Sequence, residues 1–399
     1  MTDTTLDYVA ERLGPRLLVV HPSGRFLLLA NWRSNDISGY LIDPATGFLT
    51  PVPGSPFPAG DKPRALTVEP GGRFIYAANW GSHSVSAYRI DLEFGRLIPI
   101  PGSPFQTGVN PRNIRFDPTG SFGYVSNAGS GSISAYRLDP IGGGLMPASN
   151  APTPTEPRPR SAMVDPTGCF VLTAHERGSR ISAYRIDRST GALTESAGSP
   201  IPAGGDPRFV TVHPGGRFAY VPNQRSNNIS AYTIDAGTGR LTPIPGAPFP
   251  SGQRPFQLVI LPLGRFAYIA NERSDSISGY AIVDATGALE PIPGLPVCSG
   301  RNPIWPTIDP LGRFLYVANR ESNDVSGWSI DAATGRLSPV PGAPFPAGRG
   351  PRAITVDPSG RFAYLANERS NDVSGYAIDP DTGALVALPG SPFAAGRIR

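Results

Sequence analysis

Pro22-Ser23-Gly24-Arg25-Phe26 returns as Pro70-Gly71-Gly72-Arg73-Phe74, and again, as P-x-G-[R/S/C]-F, at Pro118, Pro166, Pro214, Pro262, Pro310 and Pro358. Every step is 48 residues, with no net insertion or deletion between copies. A fixed period of this length means one supersecondary unit copied eight times, and it overrides any domain count drawn from the 399-residue length.

Outward from the turn, the unit reads P-R-x-x-x-V-D-P-x-G-R-F-x-Y-x-A-N-x-x-S-x-x-I-S-x-Y-x-I-D-x-x-T-G-x-L-x-P-x-P-G-x-P-F-x-x-G. It holds four strand-like runs, which in the second copy are Ala65 to Val68, Phe74 to Ala78, Ser84 to Ile90 and Leu97 to Ile100. Each is short, mostly rich in β-branched and aromatic residues, and bounded by Gly, Pro, Asn or Asp. The Thr-Gly before the last run suits a hairpin that needs a left-handed residue. Four antiparallel strands cannot bury both faces of a sheet alone, so neighbouring units must stack, and stacking such sheets around an axis closes a ring.

The expectation is an all-β, eight-bladed β-propeller with four antiparallel strands per 48-residue blade. Residues 16–399 form one domain and 1–15 an N-terminal extension, in which Thr5 to Ala10 could add an edge strand. Whole blades lie within single repeats, and the fourth strand of blade 8 ends before Phe393. The recurrent Phe26, Tyr40 and Ile42 columns, and Trp328 in the Tyr column, read as core.

Composition excludes several function classes. The 47 Gly and 47 Pro serve many tight turns. The formal charge is +4, Lys62 is the one lysine, and the arginines recur among Asp and Glu rather than in a stripe, which argues against nucleic-acid binding. Cys169 and Cys298 have no metal or disulfide spacing. No run nears the roughly 20 apolar residues of a membrane span, and Met1 to Gly14 shows no apolar signal core, so a cytoplasmic protein is expected. Phosphate-loop, H-E-x-x-H and G-x-S-x-G motifs are missing, and no cofactor or metal is expected.

The loop leading into the innermost strand and the loop joining the second and third strands should open on one face of the ring. The first carries Arg16, Arg64, Arg112, Arg160, Arg208, Phe256, Ile304 and Arg352; the second carries seven Asn and, in blade 4, His175. Converging guanidinium groups could hold a carboxylate or phosphate, or each could pair with a local acid. The Asn side chains are expected to form turns within their loops.

A small substrate lacks eightfold symmetry, so a site should lie where the repeat departs from itself. Departures gather at Arg158-Pro159-Arg160 and His175-Glu176-Arg177 in blade 4, Arg115 in blade 3 and Trp305-Pro306 in blade 7. His175 and Glu176 could supply a near-neutral base and a carboxylate beside Arg112, Arg160 and Arg208, with drift in a repeat array as the competing reading. Trp32, Trp80 and Trp305 could stack on a sugar or merely shield the core.

The unit resembles the lactonase family of β-propellers, which includes 6-phosphogluconolactonases and carboxymuconate lactonizing enzymes, and its relatives with Y-V-x-N repeats. The carrying residues are D-P-x-G-R-F-x-Y-V-x-N, as in Asp309 to Asn319, followed in most units by S-x-Y-x-I-D and T-G-x-L. The resemblance implies a metal-independent enzyme that opens or closes a lactone of a small anionic sugar acid or dicarboxylate. Family members usually show seven blades, and often P-H where this chain has Pro111-Arg112 and Pro159-Arg160. An arginine followed sixteen residues later by Glu, as in Arg160 with Glu176 and Arg352 with Glu368, is the pairing to look for in such a site. The alternative is a non-catalytic propeller that binds an anionic ligand or a protein partner through the same mouth.

Overall fold

A computed structural model describes residues 14–396, which form eight antiparallel sheets arranged as the blades of a propeller. The Thr5 to Ala10 segment lies outside the described residues. Among the described residues there is no helix, and so none long and apolar enough to cross a membrane.

In blade 2 the strands run Pro63–Val68, Phe74–Asn79 and Ser84–Ile90, innermost to third. The outermost strand is broken into Leu97–Pro99 and Phe105–Gln106, both paired with Ser84–Ile90. The break lies at P-G-S-P, where the Ser103-Pro104 bond is cis and Gly102 takes φ +84°. The same break recurs in every blade, so the outer strand of blade 8 includes Phe393–Ala394 and does not end before Phe393 as the sequence suggested. The Pro-rich punctuation hid this short return to pairing.

Blades pack face to face through alternating apolar side chains. Phe26, Leu28, Ile37 and Val52 of blade 1 meet Leu66, Ile75, Tyr88 and Ile90 of blade 2 in one buried cluster. Fully burying such a side chain contributes roughly 1.5–3 kcal/mol. Two further contacts lock the interfaces, the first at all eight and the second at the six whose second strand carries Tyr where blades 1 and 4 have Leu28 and Leu172. The glycine before the last run, Thr-Gly in most blades and Phe94-Gly95 in blade 2, sits on the marker Phe of the previous blade: a β-carbon on Gly95 would come 2.7 Å from the Phe26 ring, and its φ is +74°. The hydroxyl of Tyr76 in blade 2 donates to Gly143 O of blade 3 at 2.7 Å.

Closure uses the same parts. Leu18, Leu27 and Tyr40 of blade 1 pack with Phe362, Tyr364 and Leu388 of blade 8. Tyr364 donates to Gly47 O at 2.8 Å, and Gly47 rests on Phe362. Among the described residues, blade 8 takes no strand from blade 1.

If the seam between blades 8 and 1 equals the others, Tyr364→Phe and Tyr268→Phe should each cost about 1–2 kcal/mol in urea unfolding, because each leaves a buried carbonyl without its donor. A much larger loss for Tyr364→Phe would mark the seam as structurally distinct.

Candidate functional site

The mouth is built by two loops per blade. In the lead-in loop, the residue before the strand's Pro has left-handed φ in blades 2 to 7: Lys62, Asn110, Arg158, Asp206, Arg254 and Asn302. Its carbonyl accepts the backbone N–H of the residue after the recurring Asn, or after His175 in blade 4, where Arg158 O accepts from Glu176 N at 3.2 Å. That bond fixes the residue after each Asn beside the channel.

Each Asn closes its own blade. Asn79 Nδ2 donates to Ser84 Oγ at 3.1 Å and Ser86 Oγ at 2.9 Å, so the side chain ties strand two to strand three rather than forming a turn within its loop. His175 takes this place in blade 4. It is fully buried, its Nε2 lies 2.8 Å from Ser182 Oγ and its Nδ1 3.0 Å from Glu156 O. Burial pulls its pKa down to about 4, against a smaller upward pull from the Glu156 carbonyl. The expectation of His175 as a mouth base is therefore corrected. Both ring nitrogens are used in contacts to Glu156 O and Ser182, and the ring performs the task of the other blades' asparagines.

Glu176 is at the mouth, and three arginines from three blades converge on it. Arg112 Nη2 lies 2.7 Å from Oε2, while Arg160 Nη1 and Arg208 Nη1 lie 3.1 and 3.3 Å from Oε1. Arg158 Nε stands further off at 4.0 Å. The guanidinium groups of Arg112, Arg160 and Arg208 are nearly buried, and Glu176 is 19% exposed. Burial alone would raise the carboxyl pKa, but Arg160, Arg112, Arg208 and Arg158 together hold it well below the usual range. In blades 4 and 5, inner-strand pairing beside Arg160 and Arg208 shrinks to Met163–Val164, Thr211–Val212 and the bridges Pro159↔His175 and Pro207↔Asn223.

The network extends through blade 6. Arg208 also donates to Gln224 Oε1, Gln224 Nε2 donates to Glu272 Oε2 at 2.9 Å, and Arg254 Nε lies 3.4 Å from Glu272. Half a turn away, 192 residues on from Glu176, fully buried Glu368 accepts from Arg320 and Arg352, each at 3.3 Å. The two pairs expected sixteen residues apart, Arg160 with Glu176 and Arg352 with Glu368, are both formed.

Aromatic rings support the cations. Arg16 lies over Trp32 at 4.8 Å, and Arg64 and Arg112 flank Trp80 at 5.1 and 5.5 Å. Trp32 and Trp80 are themselves 6.4 Å apart. Trp305 meets Phe209 at 6.2 Å, and Arg160 lies over Phe209 at 5.5 Å. Phe209 escaped the sequence reading; with Trp305 it is the large exception in a column otherwise filled by Leu17, Ala65, Asn113, Ser161, Gln257 and Ala353. Arg115 is separate from this cluster, deeper on the inner strand of blade 3. Among the described residues no three His, Cys, Asp or Glu side chains gather in a group able to hold a metal.

A family profile described as a seven-bladed β-propeller lactonase matches residues 18–107, 98–204, 198–253 and 307–395. No curated protein matches the chain. A candidate 6-phosphogluconolactonase from Bacteroides uniformis superposes with a TM-score of 0.62 at 21% identity, over 79% of this chain and 94% of its own. The periplasmic gluconolactonase of Pseudomonas aeruginosa gives 0.59 at 22% identity over 96% of each chain. Hydrazine synthase of Kuenenia stuttgartiensis gives 0.56 at 20% identity over 96% of this chain and 100% of its own. At these identities the superpositions show a shared fold alone.

Two substitutions separate the roles of neighbouring residues. Glu176→Gln should lower stability at pH 7 by about 3–5 kcal/mol, since it strands buried guanidinium groups. Glu176 has a depressed pKa, so its contribution is full above the unfolded value near 4.5 and is lost as pH falls through the folded one. His175 titrates in a different window. Its folded pKa lies below the unfolded 6.5, so about 3 kcal/mol of stability should drain away between pH 6.5 and 4. His175→Asn should remove that loss while keeping the fold, as read from urea midpoints across pH; an unchanged pH profile would contradict the assignment.

Proposed function

The chain belongs to the lactonase family of β-propellers, and we propose that its mouth around Glu176 hydrolyses, or in reverse closes, a lactone of a small anionic sugar acid or dicarboxylate. The family membership makes it an enzyme of lactonase type. The observation that carries the placement is the convergence of Arg112, Arg160 and Arg208 on one partly exposed carboxylate. Guanidinium forks converging from three sides suit a planar carboxylate or a phosphate, in geometry and in charge.

In hydrolysis, water attacks the lactone carbonyl carbon and the π electrons move onto oxygen. Collapse of that intermediate breaks the ring C–O bond, the ring oxygen leaves as a hydroxyl on taking the proton that Glu176 accepted from the water, and the acid formed releases its own proton to leave a carboxylate. The arginine N–H groups face negative charge that grows in the transition state, where preformed donors act most strongly. Glu176 is the acceptor for the attacking water's proton. Held by arginines it is a weak base, but an anionic substrate adds a second negative charge beside it and raises its pKa. Substrate binding thereby prepares its own base.

Trp32, Trp80, Trp305 and Phe209 give the mouth apolar faces on which a sugar ring or a planar diene can lie. Arg64 completes the cradle on the Trp80 side.

A panel of sugar lactones and aromatic lactones, followed by proton release, tests this reading. Wild type should turn over at least one anionic lactone, and Arg160→Gln should lower kcat/KM about 10²–10³-fold, the usual loss when one oxyanion donor is removed. No turnover on any substrate by a stably folded protein would favour a non-catalytic binding propeller.

A further inference from the structure

Below the mouth, the innermost strand of blade 3 runs Pro111-Arg112-Asn113-Ile114-Arg115-Phe116. Ile114 is fully buried between blades, whereas Asn113 and Arg115 on either side of it keep partial exposure. Alternation along a strand puts these two on one face, and on the innermost strand that face is the channel wall. Arg115 stands three residues beyond Arg112, roughly 10 Å of strand deeper into the ring.

Arg115 has no internal counter-charge among the described residues. Its Nε is buried and makes no hydrogen bond, and the guanidinium joins no ion pair. At its level the other strands offer Thr67, Thr211 and Thr307, each of which gives its hydroxyl proton to the next blade's backbone, Thr355, whose hydroxyl faces the Val356 carbonyl of its own strand, or apolar Val19, Met163 and Val259. The nearest carboxylate in sequence, Asp117, is committed to its own turn, accepting from Phe122 N and Thr119. Burial lowers the pKa of Arg115 without an offsetting acid. Asn113 Oδ1 accepts from Ser126 Oγ at 2.8 Å, which leaves its amide N–H groups without an acceptor among the described residues. A cation on the channel wall whose Nε is buried without a partner is costly, and native proteins retain such a group where something completes it.

We infer that Arg115 and the Asn113 amide form an anion site in the channel throat, separate from the Glu176 cluster, that takes a phosphate or carboxylate group. Resting on the lactonase reading for the mouth, the group's source is the far end of an anionic lactone whose reacting carbonyl lies at Arg112 and Glu176. A free inorganic anion presents the same chemistry.

Calorimetric titration with inorganic phosphate tests the site without requiring turnover. Arg115→Met removes the cation, and Asn113→Asp supplies an internal carboxylate in its place. Both variants should bind one phosphate fewer than wild type, or bind it at least tenfold more weakly, and both should melt no lower than wild type in phosphate-free buffer. Wild type that binds no phosphate, or variants that bind it as wild type does, would overturn the inference. The source is read separately: a tenfold higher KM of Arg115→Met for a phosphorylated lactone, with the KM for its uncharged counterpart unchanged, assigns the site to the substrate's tail. Unchanged KM for both, with phosphate binding lost, assigns it to a free anion.

Discussion

The whole molecule depends on one contact, repeated around the ring: the marker Phe of each blade lies against the left-handed glycine that precedes the outer strand of the next. Gly95 on Phe26 and Gly47 on Phe362 are two instances, the second closing the circle. Only glycine satisfies both the left-handed turn and the approach of the ring. Fixing that spacing lets a tyrosine hydroxyl reach the same glycine's carbonyl, as at Tyr76 with Gly143 and Tyr364 with Gly47. An interface built from such identical parts needs no exchanged strand to close.

Uniform interfaces leave the channel side of each blade free to vary, because those residues carry little of the packing. The charge at the mouth is correspondingly uneven. Blades 3, 4 and 5 contribute Arg112, Arg160 and Arg208 to one carboxylate, whereas blades 6 and 7 place Phe256 and Ile304 where the arginines would be. Buried guanidinium groups are tolerated there because Glu176, Gln224 and the aromatic faces of Trp80 and Phe209 surround them.

The ring was legible in the sequence because a strict 48-residue period constrains every strand at once. What was not legible involves ends and partners that depend on backbone detail. Arg112 and Glu176 are 64 residues apart and Arg208 and Glu176 are 32, and their meeting was readable only by placing the equivalent loops of neighbouring blades around one mouth. Arg160 with Glu176 was readable because both belong to one blade. His175 drew notice as a departure from its column, but a departure in identity was not one in role: imidazole and amide both bridge to the serine seven residues on. The outer strand's second segment at Phe393–Ala394 was hidden behind Pro-rich punctuation that ordinarily ends pairing.

The most direct test of the account is a crystal structure with a sugar acid, the product of lactone opening, bound at high occupancy. Its carboxylate should lie within hydrogen-bond reach of at least two of Arg112, Arg160 and Arg208, with the sugar ring against Trp80 or Phe209. A sugar acid seated elsewhere, with the three guanidinium groups still closed on Glu176, would contradict the assignment of the mouth as the lactone site.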